Sequence, residues 1–331
     1  MKVVVLGGGS WGTVLAHLVS QNVEEVRIWV TKEDQARAIN STRVNSRYHP
    51  ELLLNHNTHA YCSLEKIFEG SVAGVIWALP SSVCREQAKV LARYFKGDEI
   101  LIHATKGVEE GSLKRVSEVL REEIPCPRIG VLSGPNLAHE VARAEPAATV
   151  IASYYQEVID AGQSFLSTEK FRVYGARDVV GVEWAGALKN ILAIAAGALD
   201  AMCLGWNSRA MLITRGLAEM VRFGVKMGAE SSTFLGLAGV GDLLATCSSP
   251  LSRNYRVGYG LAQGKKLQVI LGELKSTAEG VKTTKHVWEF ARTQEIYMPI
   301  TEGVYSLLYQ GHAVGEVLSA LMRKPPIKVE I

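Results

Sequence analysis

Residues 1–20 read MKVVVLGGGSWGTVLAHLVS. An apolar, β-branched run enters three consecutive glycines, and an apolar-periodic stretch leaves them. Glycine loses more conformational freedom on folding than other residues, so such a corner is costly and needs a reason. Gly7, Gly9 and Gly12 stand at the spacing G-x-G-x-x-G. Alone the spacing is a weak signal. Directly after a strand and at the head of a helix it reads as a dinucleotide corner. Gly7 then allows the tight turn, Gly9 lets the backbone approach a pyrophosphate, and Gly12 lets helix and strand pack closely. Free N–H groups and the positive end of the helix dipole face the phosphates. The bland alternative is an ordinary strand–helix turn.

Working outward, KVVVLG, EVRIWV, VAGVIWAL, EILIHAT, RIGVLSG and TVIAS read as strands. Their near-continuous apolar character suggests burial on both faces, as in a parallel sheet. Helix-like segments lie between them, at 13–21, 82–95 and 112–121, and the alternation predicts βαβ units in a doubly wound sheet. A last strand, FRVYGA, closes this half near Ala176. From Val180 onward the patterns are long and helical. The expectation is an NAD(P)-binding Rossmann domain over 1–178 and an all-α substrate-binding and catalytic domain over 179–331.

Bulk properties exclude several classes. A net charge of +3 on 331 residues is too small to argue for nucleic acid or an anionic membrane. Five cysteines are scattered without a C-x-x-C pair, which argues against a disulfide framework or cysteine zinc site and suits a reducing cytosol. No uninterrupted apolar run approaches the roughly 18–20 residues needed to span a bilayer. The N-terminal apolar run of four residues is too short for a signal-peptide core. A cytoplasmic protein is expected.

Candidate chemistry sits at four places. After the second strand, Val30-Thr31-Lys32 offers no acid for a ribose, so a 2′-phosphate is tolerated and NADP as well as NAD is open. Lys189 interrupts an apolar helical pattern, with Ala185, Gly186, Leu192 and Ala193 on its face. Burial there lowers a lysine pKa and makes it usable as an acid or base; a lysine snorkelling to the surface is the competing reading. Asn190 beside it is a candidate polar orienter. In ATKGVEEG, Lys106 stands at a strand end, the side where ligands bind in open α/β sheets. In GLAGVGDLLATCSSPLSRNYRVG, Asp242 follows a glycine-rich turn, and Ser252-Arg253-Asn254 form a loop whose guanidinium can fork onto phosphate. Read singly, Asp242 is also a helix cap and Arg253 a surface residue.

Together GGGSWGT, ATKGVE, SGPNLAHE, GVEWAGALKNILAIA, TRGLAEM, GLAGVGDLLATC, SRN, AEGVKTT and MPITEGVY resemble the bacterial-type NAD(P)-dependent glycerol-3-phosphate dehydrogenase family, from residue 7 to about 305. The resemblance implies reduction of dihydroxyacetone phosphate to sn-glycerol 3-phosphate and the reverse, with NADH or NADPH and no metal, supplying phospholipid synthesis. It implies a Rossmann domain followed by a helical domain of the 6-phosphogluconate dehydrogenase C-terminal type, in a cytoplasmic homodimer. Carried over by position, Lys189 is the proton acceptor and Lys106 touches substrate and cofactor. Gly134, Asn136, Asp242, Ser252, Arg253 and Asn254 meet the substrate. Ser10, Trp11, Thr31, Ala138, Arg253, Thr277 and Glu279 meet the cofactor. Asn136 replaces a usual Ser or Thr, Thr31 a frequent Arg or His, and Thr277 a small apolar residue. The rivals are another dehydrogenase of this architecture, of β-hydroxyacid dehydrogenase or ketopantoate reductase type, and a non-catalytic dinucleotide sensor.

Overall fold

A computed structural model describes residues 1–274 and 278–323. Eight strands form one sheet: β1 (Lys2–Leu6), β2 (Glu25–Trp29), β3 (Thr58–Tyr61), β4 (Gly74–Trp77), β5 (Ile100–His103), β6 (Ile129–Ser133), β7 (Ala147–Ala152) and β8 (Phe171–Ala176). Their order is β3-β2-β1-β4-β5-β6-β7-β8. The apolar runs have a structural reason. Along β1, Val3 and Val5 enter one core, with Val14, Ile28 and Ile102. Val4 and Leu6 enter the other, with Val75, Trp77 and Leu101. A strand covered on both faces favours apolar residues on both.

Strand order reverses direction between β1 and β4, so the carboxyl ends of these two strands flank a crevice. This is the switch point at which doubly wound sheets bind ligands. Every neighbouring pair is parallel except β6–β7, which is antiparallel. Two details depart from the sequence-based expectation. Strand β3 was not anticipated, because THAY is short and only alternately buried. The helix expected over 112–121 runs from Val116 to Glu123. The preceding residues turn back, with Leu113 at φ 59° and an isolated bridge between Val108 and Arg115.

After β8, Asp178 accepts from Gly181 N at 2.8 Å and starts the helix Val179–Ala201. Helices Trp206–Lys226, Asp242–Ser248, Arg253–Ala262 and Glu279–Thr293 pack around it. The approach to Arg253–Ala262 is close. A Cβ on Gly197 would stand 1.9 Å from Tyr255 O, and one on Gly258 1.7 Å from Ile194 O. By length and composition Val179–Ala201 could cross a membrane, with 23 residues and a mean hydropathy of 1.4, although the primary sequence offers no uninterrupted apolar run of that length. It is the core of the helical half instead, with 89% of that window buried in the protein. It is tied to the sheet side by Glu183, whose carboxylate accepts from Ser117 N at 2.8 Å, Ser117 Oγ at 2.6 Å and Arg115 Nη1 at 2.6 Å.

Candidate functional site

The corner after β1 has the geometry its glycines call for. Gly7 adopts φ +112°, and a Cβ on Gly12 would stand 1.8 Å from Gly7 O. Gly7 N and Gly8 N donate to Trp29 O, which pins the turn against β2. Gly9 leads into the helix Ser10–Val19, and a Cβ built there meets nothing within 4 Å. Open space therefore lies in front of the helix N-terminus, and a side chain at Gly9 would fill it. The cradle fits a dinucleotide pyrophosphate on these grounds. Trp11 turns its ring toward the core, 6.5 Å from Phe171, so only its main chain faces the corner. Thr31 and Lys32 are exposed just beyond β2, and Ala138 opens the short helix Ala138–Ala142.

A second group of residues gathers at the carboxyl ends of β5 and β6. Lys189, on the long helix, is 5% exposed, and Asp242, the first residue of Asp242–Ser248, is 1% exposed. Lys189 Nζ donates to Asp242 Oδ1 and, at 2.6 Å, to Thr246 Oγ1. Lys106 Nζ donates to the other oxygen, Asp242 Oδ2, at 2.6 Å and to Gly134 O at 2.9 Å. Two ammonium groups thus share one carboxylate. Burial lowers the Lys189 pKa to about 7; Asp242 opposes that shift and Lys106 adds to it. The snorkelling alternative is excluded by this burial. The small neighbour matters here, since a Cβ on Gly186 would stand 2.9 Å from Ser133 Oγ, with Lys106 Cγ in ordinary contact at 3.6 Å.

The remaining candidates form a shell around that pair. Asn190 Nδ2 donates to Lys106 O at 3.2 Å, and its Oδ1 accepts from Asn254 Nδ2 at 2.8 Å. Asn254 Oδ1 in turn accepts from Gly280 N at 3.0 Å. Ser252 caps the helix Arg253–Ala262 by accepting from Tyr255 N at 3.3 Å. Arg253 is exposed and has no hydrogen-bond or ion-pair partner among the described residues. Asn136 is held to β7, donating to Ala148 O at 3.0 Å and accepting from Thr149 Oγ1 at 2.9 Å. Glu279, from the helical half, accepts from Ser81 N at 3.2 Å and from Ser81 Oγ. Thr277 lies outside the described residues.

Two family models divide the chain between them. The N-terminus model of NAD-dependent glycerol-3-phosphate dehydrogenase matches residues 2–159, and its C-terminus model matches residues 178–319. The chain belongs to the NAD-dependent glycerol-3-phosphate dehydrogenase family. Among relatives, the glycerol-3-phosphate dehydrogenase [NAD(P)+] of Pseudomonas paraeruginosa is 46% identical over 326 residues, covering 98% of this chain and 95% of that protein. The crystal structure of a glycerol-3-phosphate dehydrogenase from Coxiella burnetii has a TM-score of 0.92 at 35% identity, covering 98% of this chain and 99% of the other. A yeast glycerol-3-phosphate dehydrogenase, from Saccharomyces cerevisiae, has a TM-score of 0.85 at 27% identity, covering 96% and 98%.

Two residues that contact these candidates escaped the sequence reading. Thr246 holds Lys189 from one helical turn beyond Asp242; the i, i+4 spacing from Asp242 was the available signal. Ser81, in SS after Pro80, meets Glu279 across 198 residues of sequence, and nothing local announces that contact.

Proposed function

We propose that this chain interconverts dihydroxyacetone phosphate and sn-glycerol 3-phosphate with NADH or NADPH. The observation that carries the reading is the sharing of Asp242 by Lys106 and Lys189 at the strand ends beside the glycine corner. Gly9, Ser10 and Trp11 would hold the pyrophosphate through their amides. When bound, the nicotinamide supplies the hydride for reduction and takes it for oxidation. Reduction of the ketone makes an alkoxide oxygen, which must receive a proton; Lys189 Nζ donates it. In the reverse direction neutral Lys189 takes the proton from the hydroxyl. A pKa near neutrality suits a group that must work in both directions. Lys106 adds positive charge at the developing oxyanion, and Asp242 fixes both ammonium groups. Arg253, with Ser252, receives the phosphate, and Asn254 braces that loop end from within through Asn190 and Gly280.

We infer further that the chain divides at 178/179 into a cofactor domain and a helical domain. It acts without a metal, since the two lysines supply the positive charge the carbonyl oxygen needs. The near-balanced charge and scattered cysteines support a cytoplasmic enzyme that does not bind nucleic acid. Resemblance to the family supports a homodimer that feeds phospholipid synthesis. The test is NADH or NADPH absorbance followed with dihydroxyacetone phosphate, ketopantoate and a β-hydroxyacid pair as alternatives. Oxidation of cofactor with dihydroxyacetone phosphate alone is expected. Turnover only with another substrate, or with none, refutes the reading.

A further inference from the structure

The carbonyl oxygens of the glycine corner are held from behind by the segment that follows β2. Gln35 Nε2 donates to Gly8 O at 2.7 Å, and Asn45 Nδ2 donates to the same oxygen at 3.0 Å. Asn45 Nδ2 also donates to Thr13 Oγ1 at 2.8 Å, and Thr13 Oγ1 donates to Gly9 O at 2.7 Å. Gln35 Nε2 lies 3.3 Å from Asn45 Oδ1, so the two amides orient one another. His49 Nε2 lies 3.1 Å from Ser10 O and 2.9 Å from Ser10 Oγ. A carbonyl oxygen only accepts, which assigns the ring proton to Nε2. The Ser10 hydroxyl then accepts from the ring and keeps its own hydrogen for another acceptor.

Three consecutive carbonyls, those of Gly8, Gly9 and Ser10, therefore each have a donor behind them. In a planar trans peptide the N–H points opposite to the C=O. Fixing these three oxygens fixes the N–H groups of Gly9, Ser10 and Trp11 to the other side. Those three N–H groups donate to no backbone oxygen among the described residues. They are the groups at the N-terminus of Ser10–Val19, facing the open space in front of Gly9.

We propose that Gln35, Asn45 and His49 are positioning residues for the dinucleotide, aiming the amides of Gly9, Ser10 and Trp11 and the Ser10 hydroxyl at its pyrophosphate. The inference rests on the dinucleotide reading of the corner and extends it to residues outside the glycine motif. None of the three touches the cofactor space through a free donor of its own; each acts through the main chain it holds. Burial, then the neighbouring His139 ring 4.9 Å away, pushes the His49 pKa below its ordinary value. The ring thus stays neutral near pH 7 with its single N–H on the Ser10 side. A cradle fixed before binding has less ordering to lose when the ligand arrives.

The test uses the full-length enzyme with NADH alone, read by fluorescence titration, so it does not depend on the reaction. Gln35→Leu and His49→Leu remove a donor, whereas His49→Gln keeps an N–H of similar reach. One neutral hydrogen bond each predicts a rise in the NADH dissociation constant of about 3- to 10-fold for the two leucine variants. His49→Gln is expected within about twofold of the parent, and KM for dihydroxyacetone phosphate at saturating NADH within about twofold for all three. Parental NADH affinity in both leucine variants overturns the proposal. Equal losses in His49→Leu and His49→Gln overturn it too, because volume rather than the donor would then matter. So does a rise in substrate KM that matches the loss of NADH affinity, the mark of a general structural role. A parent that binds NADH but leaves dihydroxyacetone phosphate untouched refutes the reaction and not the positioning; a parent that fails to bind NADH refutes both.

Discussion

At the carboxyl end of β1 the groups that face the ligand space are mainly main-chain amides of consecutive residues, joined by the Ser10 hydroxyl, with the other side chains behind them. At the ends of β5 and β6 they are side chains, and Lys106, Lys189, Asp242 and Thr246 come from segments as much as 140 residues apart. The amides are neutral, and their burial needs only a partner in front. The lysines and the carboxylate are ions removed from water, and each is tolerable because the others are there. A change in the first region should therefore act through volume and peptide orientation. A change in the second should act through charge.

The largest expected effect falls on the ionic cluster. Lys189→Ala should lower kcat by about 100- to 10,000-fold, the usual worth of acid–base catalysis, while NADH titration stays near the parent value. Turnover within a few-fold of the parent would move the proton transfer to another group. Next is the amide corner. Gly9→Val should weaken NADH binding on the order of 100-fold, since at least two charge-assisted hydrogen bonds are blocked. Its melting temperature should hardly move, because a Cβ there meets nothing within 4 Å. Gly12→Ala is the counterpart: its Cβ would strike Gly7 O, so the fold itself should weaken. If Gly9→Val unfolds the protein as Gly12→Ala does, the contrast between a ligand-facing and a packing glycine fails.

A smaller loss is expected at the rim. Arg253→Ala should cost about 10- to 100-fold in kcat/KM for dihydroxyacetone phosphate, and Arg253→Lys should recover only part of that. The ratio to free dihydroxyacetone should collapse; an equal fall for both substrates would assign the arginine to structure. The gentlest probe is pH. Reduction needs Lys189 protonated, so kcat/KM for reduction should decline as pH rises through about 7, by up to about tenfold per unit. Oxidation needs it neutral and should climb over the same interval. Profiles that move in the same direction would separate Lys189 from the proton.

Legibility in the sequence followed the same division. Gly7, Gly9 and Gly12 lie within six residues, so the local pattern carried both the turn and the ligand class. The apolar runs of β1, β4 and β5 were readable because burial on both faces favours apolar residues at consecutive positions. THAY escaped because only alternate residues of an edge strand are covered. Lys189 was recognisable as an oddity in an apolar helix, but spacing alone could not separate burial from snorkelling; the arrival of Asp242 and Thr246 decides it. Arg253 and Asn254 were expected side by side in a loop, yet they open the helix Arg253–Ala262, which sends Asn254 inward to Asn190 and leaves Arg253 outside. Glu279 was expected at the cofactor; its carboxylate also meets Ser81 in the other half, a pairing that no window of sequence contains.

The helix Val179–Ala201 also bears on how the molecule is made. Ribosomes deliver the chain from the N-terminus, so the sheet emerges and can close before this helix is finished. The helices that cover it, Arg253–Ala262 and Glu279–Thr293, come later in the chain. At a synthesis rate of about 5–20 residues per second, roughly 90 further residues keep the covering incomplete for about 5–20 seconds. For that interval the nascent chain carries an apolar helix of bilayer length beside an already finished nucleotide fold. Chaperone capture and aggregation of truncated chains should therefore concentrate on products that end between residues 201 and 293, and fall away once Glu279–Thr293 has emerged.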